Sequence, residues 1–209
     1  MRSLMHSVNV CPPTRIMADW DERYCSGEHT AKEPSPLLIK AIKDLKPGRA
    51  LDLASGVGRH AIYLAQSGWQ VTAVDSSRVG IDILQQRAGE AYLSIDARIA
   101  DLEKGEFQIE PAAYELICDL YYLQRDLFPA IRAGIKPDGI FVAAIHLNDG
   151  NNDAKPHNPA FLLERGELKT LFSDWEITYY HEGPADESGH HHDTAYLIAR
   201  KPVARASRP

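Results

Sequence analysis

Two acids close two neighbouring apolar runs. Asp52 lies in the run Ala50-Leu-Asp-Leu-Ala-Ser-Gly-Val-Gly-Arg-His60, and Asp75 ends the run Val71-Thr-Ala-Val-Asp75. The first run reads as a short strand entering a glycine-rich turn and then a helix. The second reads as the next parallel strand. This pairing points to a nucleoside-bearing cofactor lying across the ends of parallel strands.

Two cofactors fit such a turn. Gly56-Val-Gly-Arg-His-Ala61 satisfies the dinucleotide pattern G-x-G-x-x-G/A literally, which keeps an NAD-dependent oxidoreductase open. Asp52 argues the other way. A carboxylate just before the turn repels a pyrophosphate, whereas it suits a cofactor with a positive ammonium and sulfonium, S-adenosylmethionine. Asp75 serves either reading, because both cofactors carry a ribose diol.

The elements that must position these acids alternate along the chain. Leu37–Leu45 carries a helical apolar stripe and stops at Pro47-Gly48. Ala50–Leu53 is a strand, Arg59–Ser67 a helix closed by Gly68, and Gln70–Val74 a second strand. Ser77 can cap the helix that follows. Ser94–Ala100 alternates weakly, and Tyr114–Leu120 is apolar on both faces, as a central parallel strand is. Leu127–Ile135 is a helix, Lys136-Pro-Asp-Gly139 a tight turn, Ile140–Ile145 a strand and Phe161–Phe172 a helix. Trp175–Tyr180 and Thr194–Ala199 have no helix between them and should pair antiparallel. The expected fold is α/β: a Rossmann-like doubly wound, mostly parallel seven-stranded sheet with a C-terminal antiparallel hairpin and helices on both faces.

In order, Leu51-Asp-Leu-Ala-Ser-Gly-Val-Gly58, Val74-Asp-Ser76, Ala100-Asp-Leu102, Leu116-Ile-Cys-Asp-Leu120 and Ile135-Lys-Pro-Asp-Gly-Ile140 resemble the motif series of class I S-adenosylmethionine-dependent methyltransferases. The resemblance covers roughly residues 18 to 200. The opening Trp20-Asp-Glu-Arg-Tyr24 is similar to the start of small-molecule members. The first motif and the closing hairpin are similar to the tellurite-resistance and thiopurine methyltransferase-like branch. The family usually has glycines where this chain has Ala54 and Ser55.

The resemblance implies roles residue by residue. Backbone of Ala54, Ser55 and Gly56 would lie beside the methionine part, with Asp52 facing the ammonium. Asp75, followed by Ser76, would accept from the ribose hydroxyls. Asp101 would accept from the adenine amino group while the Leu102 amide donates to the ring. Asp119 would sit near the sulfonium, with Leu120 and Tyr121 lining the slot. Trp20 or Tyr24 would close over the cofactor, and Tyr121 and His146 would touch the substrate. Each has a plainer reading: Asp52 as a turn cap, Asp75 as a helix N-cap, Asp101 as a loop acid, Asp119 as structural, Trp20 and Tyr24 as core aromatics. Methyl transfer needs a base only for an acceptor that must lose a proton, so no catalytic residue is assigned.

The whole chain bounds these readings. Its 209 residues are 44% hydrophobic and 25% charged, enough for one globular domain, expected over residues 18–201. Residues 1–17 read as a disordered extension and 202–209 as a tail. The net charge of −6, without a basic stripe, speaks against a nucleic-acid partner; the resemblance implies a small-molecule acceptor with an S, Se, Te, O or N nucleophile. No apolar run reaches the ~20 residues of a membrane span. Cys11, Cys25 and Cys118 match no zinc or redox spacing, so free thiols and a cytoplasmic location are expected. His190-His-His192 lacks helical metal-ligand spacing and cysteine partners, and no metal site is expected there. The polar stretch His146–Pro159 is long enough to serve as a lid or substrate loop. A module that binds the cofactor without catalysis is the main rival to an enzyme.

Overall fold

The apolar runs at the centre of the chain become the middle of one sheet. In chain order the elements are α1 (Ala18–Cys25), α2 (Pro36–Ile42), β1 (Arg49–Leu53), α3 (Arg59–Gln66), β2 (Gln70–Asp75), α4 (Arg78–Glu90), β3 (Ile95–Ile99), β4 (Tyr114–Leu120), α5 (Phe128–Gly134), β5 (Ile135–His146), α6 (Glu167–Leu171), β6 (Glu176–Gly183) and β7 (Thr194–Arg200). The seven strands run in the order β3-β2-β1-β4-β5-β7-β6. Pairings among β1 to β5 are parallel, while β7 is antiparallel to both β5 and β6. This is the Rossmann-like doubly wound sheet with its terminal hairpin. The computed structural model describes residues 18–150, 159–185 and 192–203. The extension at 1–17, loop residues 151–158, His190, His191 and tail residues 204–209 lie outside the described residues.

Burial explains why β1 and β4 sit centrally. Ala50, Leu51 and Leu53 of β1 and Leu116, Ile117 and Cys118 of β4 are fully buried, so each strand is covered on both faces. One face packs Phe128 of α5 on Phe141 of β5 and on Phe172, which in turn meets Trp175 edge-on. The other packs Leu38 of α2, Leu64 of α3 and Ile81 and Leu84 of α4. β3, at the edge, keeps only half-buried or exposed positions, which accounts for its weak alternation in the sequence.

Two elements differ from the sequence expectation. Lys136-Pro-Asp-Gly139 does not separate a helix from a strand; it is a bulge inside β5. Tyr114 pairs with Ile135 and Leu116 with Ile140, so the residues between loop out of the ladder. Lys201 holds the bulge by donating its backbone N–H to the Gly139 carbonyl at 2.8 Å and accepting from Asp138 at 3.0 Å. The helix expected over Phe161–Phe172 is also interrupted. Leu163 bridges to Leu147 in parallel fashion, and Gly166, at φ +78°, sets the start of a short α6. Helical spacing was real there, but burial of Leu162 and Leu163, with Leu163 paired just beyond the end of β5, outweighed it. The opening Trp20–Tyr24 segment is part of a helix, α1, docked on α4 through Asp21. That carboxylate accepts from Ser77 Oγ and from the backbone N–H of Val79 at 3.3 Å. Ser77 also accepts from Gly80 N at 2.9 Å, the N-cap expected of it.

Candidate functional site

The C-terminal ends of β1, β2 and β4 open into a cavity of about 670 Å³. A volume of this size suits a nucleoside-sized ligand. From the β1–α3 turn it is lined by Ala54, Ser55 and Gly56, and from the end of β2 by Asp75 and Ser76. Asp101 and Leu102 line it after β3, and Leu120 and Tyr121 at the end of β4. Trp20 and Tyr24 of α1 cover it. Residues far apart in sequence thus meet at one place, where the strand order reverses.

The turn itself is tightly shaped. Ala54 and Gly56 both adopt left-handed backbone, at φ +50° and +54°. Gly56 also has no room for a Cβ unless Tyr24 moves. A Cβ there would lie 2.6 Å from the Tyr24 hydroxyl, so α1 sits directly over this glycine. The Asp75 carboxylate fixes the turn from the neighbouring strand. Its Oδ2 accepts from Gly56 N at 2.7 Å and its Oδ1 from Ser77 N at 2.8 Å. Asp75 therefore does not cap α4, a task that belongs to Ser77. Burial raises the Asp75 carboxyl above its ordinary range, and the two N–H donors partly offset this. The Tyr24 hydroxyl is raised as well, by burial first and by Asp75 next.

Asp101 lies half-buried in the wall. Its Oδ1 accepts from the backbone N–H of Glu103 at 3.0 Å, and its Oδ2 pairs with Lys104 Nζ at 2.7 Å. The Lys104 hydrogen bond holds its carboxyl below the usual value. The Leu102 carbonyl accepts from Gln124 Nε2 at 3.3 Å, tying this segment to the loop after β4.

Three residues singled out in the sequence stand outside the cavity lining. Asp52 and Asp119 are each 1% exposed and lie beneath it. Asp52 accepts from Cys118 Sγ at 3.3 Å and from the Ala61 backbone N–H, under the first turn of α3. Burial, chiefly, lifts its carboxyl to about 7. Asp119 accepts from the Tyr122 backbone N–H, and burial together with Asp52 pushes its carboxyl well up. Asp52 Oδ2 and Asp119 Oδ1 have no hydrogen-bond partner. His146 stands behind Tyr121, with ring centroids 5.2 Å apart and its Nδ1 3.2 Å from Thr194 Oγ1. Tyr121 itself is left-handed, at φ +71°, a conformation rarely kept outside glycine unless its surroundings hold it.

The structure adds residues that the motifs did not flag. Arg59 and His60, in the first turn of α3, line the cavity, as do Gly27 to Ala31 and Tyr122. The segment at 27–31 reaches the site because Arg87 of α4 clamps it. Arg87 donates to the Thr30 carbonyl at 2.9 Å and to Val57 O at 3.4 Å. His29 packs edge-on against Trp20 at 5.5 Å. Arg59 and His60 adjoin the glycine turn directly and were readable as part of it; nothing in the sequence marked residues 27–31. Among the described residues, no group of three His, Cys, Asp or Glu side chains is placed to share a metal ion, and no helix is long and apolar enough to cross a membrane.

Comparison with known proteins follows the same lines. The family model described as tellurite resistance protein TehB matches residues 20–197. The chain is 26% identical over 196 residues to the probable S-adenosyl-L-methionine-dependent methyltransferase TehB of Haemophilus influenzae, covering 86% of this chain and 66% of that protein. It is 32% identical over 109 residues to the putative methyltransferase YqeM of Bacillus subtilis, covering 47% and 42% of the two. The crystal structure of TehB from Haemophilus influenzae has the same fold, with a TM-score of 0.73 at 22% identity over 86% of this chain and 66% of that one. So does Burkholderia thailandensis 1,6-didemethyltoxoflavin-N1-methyltransferase, solved with S-adenosylhomocysteine, with a TM-score of 0.65 at 21% identity over 90% and 85%. The chain spans 66% and 61% of the length of the two curated TehB relatives, just under two thirds. With a match that runs from α1 into β7, this chain belongs to the TehB tellurite resistance protein family.

Proposed function

We propose that this chain is an S-adenosylmethionine-dependent methyltransferase acting on a small-molecule acceptor. The observation that carries the reading is the cavity. One continuous wall brings together the left-handed turn at 54–56, the Asp75 carboxylate and the Asp101–Leu102 segment, in the order a nucleoside with an amino-acid tail requires. The buried acids fit the charge of that cofactor. Asp52 and Asp119 lie beneath the wall with unpartnered oxygens, and such oxygens gain from a cation above them. A pyrophosphate would make the same pair more costly.

The cofactor, when bound, supplies a methyl carbon already activated by its sulfonium. The chain's residues do the rest by placement. Asp75 keeps lone pairs for the ribose hydroxyls while its N–H partners fix the turn. Asp101 and the Leu102 amide hold the adenine edge. Leu120 and Tyr121 line the end of the cavity by β4, where an acceptor can be held against the methyl. Excluding water and fixing orientation there can supply much of the rate, so a dedicated base is needed only for a protic acceptor. Soft sulfur, selenium or tellurium nucleophiles need none.

Calorimetry with S-adenosylhomocysteine and NAD tests the cofactor. Binding of the first and not the second is expected, and the reverse would sink the proposal. A transfer screen over thiols, selenium and tellurium oxyanions, phenols and amines then identifies the acceptor. Tight cofactor binding without turnover on any class would make the chain a non-catalytic binding module instead.

A further inference from the structure

We propose that β3 is a docking edge for a second copy of this chain, the two β3 strands pairing antiparallel about a two-fold axis at Ala97 and joining the two sheets into one. Such a pairing is independent of the methyltransferase reading above.

β3 has an open side. It stands first in the strand order and pairs with β2, and among the described residues no strand lies beyond it. The outer row of N–H and C=O groups on such a strand is a template for another strand. Edges of this kind are commonly closed to partners by proline or by charge. The five residues of β3, Ile95-Asp-Ala-Arg-Ile99, contain no proline and carry one charge of each sign.

The order of those residues is self-complementary about Ala97. In antiparallel pairing centred there, Asp96 stands opposite Arg98 of the second copy, Arg98 opposite its Asp96, and Ile95 opposite its Ile99. Within the strand Asp96 and Arg98 already share one face, joined by a two-point ion pair at 2.7 and 2.9 Å. Their side chains are 49% and 58% exposed, so both are open to a partner. Directly opposite residues lie about 4.5–5.5 Å apart, so the paired strands close these charges into a ring of alternating sign. The other face brings apolar side chains together. Ile95 and Ala97 are half-buried and pack on the core, while Ile99 is 42% exposed. Covering that isoleucine with Ile95 of the second copy removes apolar surface from water. Charge also selects the register. A slip of two residues either way sets Asp96 against Asp96 or Arg98 against Arg98, and a slip of one turns every side chain to the wrong face.

Sedimentation velocity of the full chain over a range of concentrations tests the pairing. Short strands make a small interface, so a dimer with a Kd on the order of 10 μM is expected. Asp96→Lys sets cation opposite cation on both sides of the axis, and Arg98→Glu sets anion opposite anion; each should raise the Kd at least about 10-fold. Mixed in equal amounts, the two variants become complementary again, since the new lysine meets the new glutamate and Arg98 meets Asp96. The mixed dimer should return to within about threefold of the wild-type Kd. Both positions are exposed, and losing a surface ion pair costs too little to unfold either variant, which thermal melts by circular dichroism verify. A wild type still monomeric about 10-fold above the expected Kd, a dimer that either single variant leaves intact, or a mixture that stays monomeric would each overturn the proposal.

Discussion

Replacing Asp52 with asparagine should flatten the pH dependence of stability. Asp52 is buried beneath the cavity, and burial lifts its carboxyl to about 7 from an ordinary 3.8. Between those values the folded protein keeps a proton that the unfolded chain has released. Stability from this group is therefore fully present below about pH 4 and is lost as pH rises through about 7. Each pH unit in that window is worth about 1.4 kcal/mol, so roughly 3 kcal/mol lies between about pH 5 and pH 8. This is a large share of the ~5–15 kcal/mol typical of a domain. Asp119 acts in the same direction, and the charge of Asp52 contributes to its elevation, so removing that charge reduces both effects. The carboxamide keeps an oxygen for Cys118 and for the Ala61 N–H. Urea unfolding of the unliganded wild type and Asp52→Asn at several pH values in this range measures the difference directly. Wild-type stability should fall more steeply than the variant's, by about 3 kcal/mol. Parallel curves, differing by less than about 1 kcal/mol over the range, would show that Asp52 is already ionised in the fold and would refute the reasoning that burial makes it keep its proton.

Ala54→Gly should stabilise the protein by about 1 kcal/mol, because φ +50° is strained for alanine and free for glycine; a melting temperature raised by about 2–4 °C would show it, and a lowered one would contradict the strain. Asp75→Ala should cost about 2 kcal/mol in denaturant unfolding, through loss of its bonds to Gly56 and Ser77, and should weaken S-adenosylhomocysteine at least about 10-fold by calorimetry. Unchanged affinity there would confine Asp75 to holding the turn. Gly56→Ala should displace Tyr24, since its Cβ would meet the hydroxyl at 2.6 Å; near-ultraviolet circular dichroism and calorimetry should register a moved aromatic and lost binding together.

Much of this was legible in the sequence for definite reasons. β4 reads correctly to the residue because both its faces are buried, which puts apolar residues at adjacent positions, Leu116, Ile117 and Cys118, rather than at alternate ones. Asp75 and Asp101 are visible because a strand end places them. The bulge at 136–139 was not, since Pro-Asp-Gly has the same local chemistry in a turn between elements and in a loop out of a ladder. Only its partners, Glu115 on one side and Lys201 on the other, decide between them. Asp52 and Asp119 read as cavity groups, yet the pleat carries them under the wall. The rim at 27–31 depends on a clamp from Arg87, which is distant in sequence and leaves no local trace.

The position of β7 has a consequence for how the protein is made. β7 lies between β5 and β6 and supplies the partner for both. On a ribosome, the strands up to β5 can join as each emerges, but β6 has nothing to pair with until β7 follows. For an interval on the order of seconds at ordinary elongation rates, β5 would show an open edge while Trp175 awaits its cover. An exposed edge of that kind invites pairing with another nascent chain. A chain halted before Thr194 would stay in that state, so truncation between β6 and β7 should yield insoluble protein rather than a slightly shortened fold.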